Sequence, residues 1–114
     1  MSGPTIFAKI IAGQAPADIV YEDEHCLAFR DVNPQAPVHV LLVPRKPLPQ
    51  LSDATEADRA LLGHLMMCAP KIAEQLGIGG RYRLVMNDGV EAGQTVFHLH
   101  LHILGGRIFQ WPPG

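Results

Sequence analysis

Hydrophobic positions along the chain change their period several times, and each change marks an element. Phe7, Ile10 and Ile11 recur at three- and four-residue steps behind Thr5, which is suited to cap a first helical turn, and Gly13 supplies a stop. A short helix over Ile6-Phe7-Ala8-Lys9-Ile10-Ile11 is predicted, followed by an Ala15-Pro16-Ala17 linker. Ile19-Val20-Tyr21 and Cys26-Leu27-Ala28-Phe29 read as two strands, joined as a hairpin through the polar turn Glu22-Asp23-Glu24. The connection from Asp31 to Pro37 is punctuated by two prolines. Val38-His39-Val40-Leu41-Leu42-Val43-Pro44 is apolar almost throughout, which fits a central strand; His39 is the exception. Arg45-Lys46-Pro47-Leu48-Pro49 then departs as a basic, solvated turn.

From Glu56 to about Leu76 the period becomes helical, with Leu61, Leu62, Leu65, Ala69, Ile72 and Leu76 on one stripe. Met66 and Met67 read as gap-filling core or interface residues. Pro70 lies inside this run, so a kink near Met66 to Pro70, or two consecutive helices, is expected. Arg81 to Asn87 reads as another strand, and the glycine-bearing loop from Gly89 to Thr95 feeds the last one. The element order α-β-β-β-α-β-β predicts an α+β fold: one domain over residues 1–114, an antiparallel sheet with helices on one side.

The last strand is the most distinctive stretch. Over Val96-Phe97-His98-Leu99-His100-Leu101-His102-Ile103-Leu104, polar and apolar residues alternate strictly. On a strand this puts His98, His100 and His102 on one face, about 6.6–6.8 Å apart, with Phe97, Leu99, Leu101 and Ile103 packing on the core. Three imidazoles in register are unlike isolated histidines such as His25, which reads as a solvated turn residue, or His64, which reads as exposed or interfacial.

Composition narrows what such a row can serve. The 114 residues are 47% hydrophobic and 18% charged, with a formal net charge of −2. That is a globular composition without the basic surface that nucleic-acid binding needs. No apolar run is long enough to span a membrane, and the start Met1-Ser2-Gly3-Pro4 does not resemble an export signal, so a cytoplasmic protein is expected. Cys26 and Cys68 form no C-x-x-C pair, which points to reduced, packing thiols.

Two chemistries suit the row. Histidines at i and i+2 can share a zinc ion, with His39 as a further ligand, but the third member of the row starts roughly 13 Å from the first. Nucleophilic attack on phosphorus uses the row better. A neutral imidazole is a good nucleophile near pH 7, and cationic neighbours would hold the phosphate oxygens. The loop upstream, with Gly89, Gly93, Gln94 and Thr95, can present donors to the same phosphate.

His-Leu-His-Leu-His-Ile-Leu resembles the signature His-φ-His-φ-His-φ-φ (φ apolar) of the histidine triad (HIT) superfamily. Asp31-Val32-Asn33-Pro34-Gln35-Ala36-Pro37-Val38-His39, Leu61-Leu62-Gly63-His64-Leu65, Gly105-Gly106-Arg107 and Trp111-Pro112-Pro113-Gly114 are similar to its short nucleotide-binding (HINT) branch. The resemblance covers nearly the whole chain. It implies a five-stranded antiparallel sheet, a short N-terminal helix and one long helix, with two chains joining into a ten-stranded sheet. The implied activity is hydrolysis of purine nucleoside phosphoramidates, such as AMP or GMP conjugates of an amine, with no metal and no cofactor.

By the same resemblance His100 is the nucleophile, His102 contacts the phosphate, His98 is the first triad member and His39 a supporting fourth histidine. Asp31 would bind the ribose hydroxyls, and Val32 and Phe29 would line the base pocket. Asn87, Gly93, Gln94, Thr95 and Val96 match the phosphate-side loop, and Trp111 matches a tail residue that reaches the partner's site. Thr95 stands where relatives are expected to carry serine; it keeps the hydroxyl. The transferase branch has Gln in place of the third histidine, whereas this chain has His102. A dinucleoside polyphosphate hydrolase, and a nucleotide-binding scaffold with incidental hydrolysis, are the other readings.

Overall fold

The structure, a computed structural model, describes residues 3–114; Met1 and Ser2, read above for an export signal, lie outside the described residues. Seven principal elements follow the expected order: α1 (Ile6–Ile11), β1 (Ile19–Glu22), β2 (Cys26–Arg30), β3 (Val38–Pro44), α2 (Arg59–Gln75), β4 (Tyr82–Val85) and β5 (Leu101–Gly105). The strands form one antiparallel sheet in the order β1-β2-β3-β5-β4, with the apolar β3 at its centre. Helix α1 is closed at both ends as its sequence predicts. Thr5 Oγ1 accepts from the Ala8 amide at 3.1 Å. At the other end Gly13, at φ +75°, lets the Gly13 and Gln14 amides reach the carbonyls of Ile10 and Lys9.

The two helices lie on opposite faces of the sheet, which corrects the one-sided arrangement expected. Cys26, Ala28, Val40, Leu42, Leu101 and Ile103 share one core with Leu65, Cys68, Ala69 and Ile72 of α2. Leu27, Phe29, Leu41 and Val43 point the other way, to Phe7 and Ile10 of α1. The physical reason is visible in β2 and β3. A sheet covered on one face needs apolar side chains only at alternate positions, whereas these strands are apolar at consecutive ones.

Two further expectations are revised. Helix α2 runs unbroken through Pro70 instead of splitting in two. Pro70 is exposed, and so is Met66 four residues before it, so the hydrogen bond that proline cannot make is lost on the solvent side. Met66 and Met67 lie on that open side and are not core residues of this chain. The histidine strand is also shorter than its alternation suggested. The ladder with β3 ends at Leu42↔Leu101, because the next inward-facing partner position is Pro44, which has no N–H to donate. Leu99 N–H turns instead to the Leu48 carbonyl at 2.7 Å, and Phe97 is left exposed.

Candidate active site

The α1 face of the sheet carries a chain of hydrogen bonds that fixes which nitrogen of each imidazole holds a proton. Backbone N–H of Gln35 donates to His39 Nδ1 at 3.0 Å. An amide can only donate, so the neutral His39 ring carries its proton on Nε2. That nitrogen lies 2.9 Å from His102 Nδ1 and 3.4 Å from Asp31 Oδ2. With His102 Nδ1 accepting, its remaining proton sits on Nε2. His102 therefore offers an N–H donor toward the open side of the site.

His100 is set the opposite way. Its Nδ1 lies 2.8 Å from the His98 carbonyl, which can only accept, so Nδ1 is protonated and Nε2 keeps the lone pair. No described residue hydrogen-bonds that Nε2. The residue is 6% exposed, and its ring stands edge-on to Phe7 at 5.0 Å between centroids and lies 5.0 Å from the His102 ring. A free lone pair thus sits beside a fixed donor, which is the pairing that attack on a charged phosphorus centre requires.

His98 acts through its position. Its own Nε2–H donates to the Pro44 carbonyl at 2.7 Å, and its side chain does not line the cleft. It anchors the irregular segment whose carbonyl orients His100.

Electrostatics correct one expectation. The neighbours of His100 are not cations in this site. Burial, with His100 and His39 adding to it and Asp31 opposing, lowers His102 to about 4. Burial likewise lowers His39 against the pull of Asp31, and lowers His98 against its bond to Pro44. Burial thus favours the neutral form of His98, His39 and His102, which act through oriented N–H dipoles.

These side chains open on a cleft of about 690 Å³ lined by Phe7, Phe29, Asp31, Val32, Thr95, Val96, His100 and His102, among others. Phe29 forms a buried wall and Val32 is fully exposed at the rim. Asp31 serves two purposes: Oδ1 caps a turn by accepting from the Asn33 amide at 2.9 Å, while its other oxygen faces His39. Asn87, Gly93 and Gln94 do not line the cleft. Gln94 is buried and fully used in the loop, where Oε1 accepts from the Gly89 amide and Nε2 donates to the carbonyls of Pro49 and Val96. Trp111 is 82% exposed and away from its own chain's cleft. The tail leaves the body at Phe109, whose ring lies against the guanidinium groups of Arg83 and Arg107.

Several contributors escaped the sequence. The Gln35 amide and the Pro44 carbonyl act through backbone atoms, which side-chain motifs do not display. Phe7 and the linker Ala15-Pro16-Ala17 line the cleft, although they are apolar and read only as packing and connection. Asp31, His39 and His102 bring one donor atom each within 4.8 Å of one another, a set able to hold a metal; His100 is outside it.

The chain matches the HIT domain family over residues 12–108. It is 69% identical, over the full length of both chains, to an uncharacterized HIT-like protein of Synechocystis. Its fold is similar to the crystal structure of a HIT family hydrolase from Legionella pneumophila, with TM-score 0.94 and 45% identity over 97% of this chain and 100% of the other. A histidine triad nucleotide-binding protein from Candida albicans aligns with TM-score 0.81 and 26% identity over 96% of this chain and 83% of that one.

Proposed function

The chain belongs to the HIT domain family, and from that premise we propose that it hydrolyses the P–N bond of purine nucleoside phosphoramidates through a nucleotidyl intermediate on His100. The observation that carries this reading is the lone pair at His100 Nε2, held toward the cleft by the His98 carbonyl and flanked by the His102 N–H. Attack forms an Nε2–P bond and breaks the P–N bond, and the amine takes up one proton from solvent as it leaves. Water then attacks phosphorus and gives up one proton to solvent, Nε2 departs with its electron pair, and the nucleoside monophosphate is released. His102 Nε2–H donates to a non-bridging oxygen in both steps. Hydrolase and nucleotide-binding relatives support the general class, and the cleft supports the particular one. Asp31 offers carboxylate oxygens for ribose hydroxyls, Phe29 and Val32 offer apolar surface for a base, and Thr95 and Val96, which also line the cleft, would face the phosphate.

The working unit in this reading is a cytoplasmic homodimer with a continuous ten-stranded sheet. The exposed Trp111 supports it, being free to reach a second chain. No helix among the described residues is long and apolar enough to cross a membrane. Single turnover on an AMP–amine conjugate tests the reading. Wild-type protein quenched in alkali should carry one nucleotidyl group by intact mass, and His100→Ala should carry none and release no AMP. Equal AMP release by the two proteins would remove His100 from its role. Activity undiminished by excess chelator is expected, since no step above uses the Asp31, His39 and His102 set as metal ligands.

A further inference from the structure

On the opposite face of the sheet, four potential ligands meet that the proposed hydrolysis does not use. Asp23 comes from the turn after β1 and Cys26 is the first residue of β2, three apart; His64 and Cys68 come from one face of α2, four apart. A tight hairpin turn and a helix each contribute two ligands, as in many closed structural zinc sites. We propose that Asp23, Cys26, His64 and Cys68 form a tetrahedral site for a zinc-class divalent cation that ties the β1–β2 hairpin to α2.

The distances fit such an ion. Zinc bonds of about 2.0–2.3 Å give a tetrahedron with edges of about 3.3–3.8 Å. Cys68 Sγ lies 3.4 Å from His64 Nε2 and 3.7 Å from Asp23 Oδ2, the ligand oxygen; Cys26 Sγ contacts the other oxygen of that carboxylate, Oδ1, at 3.4 Å. The two sulfurs are 4.0 Å apart, and all four ligand atoms fall within 4.8 Å of one another. One edge must lengthen: His64 Nε2 and Asp23 Oδ2 are 2.8 Å apart because a proton lies between them.

The protons point the same way. Asp23 gathers donors from His64, the Tyr21 hydroxyl at 2.9 Å, and the His25 and Cys26 amides at 2.8 and 2.9 Å. These bonds fix the carboxylate in place beside the two thiols. A divalent cation would replace the thiol protons, and the imidazole would move its proton from Nε2 to Nδ1, releasing about two protons per ion. Two thiolates, an imidazole and a carboxylate make a borderline-soft set, suited to zinc ahead of magnesium or calcium. Tyr21 and the two amides would orient the carboxylate from outside. His64 is a third exposed, which leaves an entry path.

Cobalt(II) is the probe, because its spectrum separates thiolate ligation from other binding. Titrated into the reduced, metal-stripped full-length protein, it should bind once per chain, with a thiolate-to-cobalt charge-transfer band and tetrahedral visible bands that zinc abolishes. Cys68→Ser and His64→Asn should each lose the charge-transfer intensity, while His39→Asn keeps it. Calorimetry in buffers of different ionisation enthalpy should read about two protons released. His64→Asn, at the exposed ligand, decides the matter if Cys68→Ser fails to fold. Three results would overturn the site: no charge-transfer band in folded wild type, the same band in His64→Asn, or cobalt uptake that His39→Asn abolishes. The first leaves the four residues as a hydrogen-bonded network; the last assigns the ion to the triad face.

Discussion

Each face of the sheet holds a cluster of polar side chains between strand ends and a helix, yet the clusters are finished differently. On the α2 face Asp23, Cys26, His64, Cys68 and Tyr21 turn toward one another, and their donors and acceptors converge on a single carboxylate. On the α1 face the bonds run outward in a line, from the Gln35 amide through His39 to His102 and from the His98 carbonyl to His100. That line ends in two atoms aimed at a cleft, one donor and one lone pair. A converging cluster stabilises or holds a small ion, whereas a line with open ends presents reactivity to something larger. Backbone groups make the difference: on the α1 face they fix the tautomers of His39, His98 and His100, and through His39 that of His102, while on the α2 face they fix only the carboxylate.

Breaking the open end should have the largest effect. His100→Ala is expected to lower single-turnover AMP release by roughly 10⁴- to 10⁶-fold, as removal of a nucleophile does elsewhere. Asp23→Asn, on the other face, should leave that rate unchanged. Removing the donor end is smaller: His102→Ala should lower the rate by about 10²- to 10³-fold with substrate affinity largely kept. If His102→Ala weakened binding alone and left the chemical step intact, the outward-running line would be a binding device and not a catalytic one.

Next in size is the packing behind the line. Phe7 is buried between Phe29, at 5.3 Å, and the rings of His98 and His100. Phe7→Ala should cost about 3 kcal/mol or more in urea unfolding. It should also slow turnover, because the ring that positions His100 is gone. A large stability loss with unaltered turnover would show that the His98 carbonyl alone suffices to hold His100 in place.

Much of this organisation was readable from the residues, and the misses share a cause. Strand positions, the hairpin, the capped first helix and the central place of β3 followed from periodicity, because burial and propensity agree there. The alternation over Val96–Leu104 put the three histidines on one side but overran the true strand, since Pro44 on a neighbouring element ends the ladder. Consecutive apolar residues in β2 and β3 carried the two-sided covering of the sheet. Pro70 misled because its cost depends on which side of the helix it occupies, and sequence does not show that the bond is lost to water. The α2-face cluster was hidden because its ligands are split between Asp-x-x-Cys and His-x-x-x-Cys, neither of which announces a metal site alone.

The smallest expected effect separates the two faces by acidity alone. His102 is neutral in the fold, with its pKa lowered from 6.5 to about 4, so the unfolded chain binds the extra proton first. Stability from keeping it neutral is complete above pH 6.5 and is lost as pH falls toward 4. Asp23 is charged in the fold below its ordinary value of 3.8, so its contribution survives that window and is lost only at lower pH. Urea midpoints measured from pH 7 to pH 2.5 should therefore decline in two stages. His102→Gln should flatten the stage between pH 6.5 and 4, and Asp23→Asn the stage below 3.8. Should Asp23→Asn flatten the upper stage instead, the histidine face would not be the part of the fold that titrates first, and the contrast between a neutral line and a charged cluster would fail.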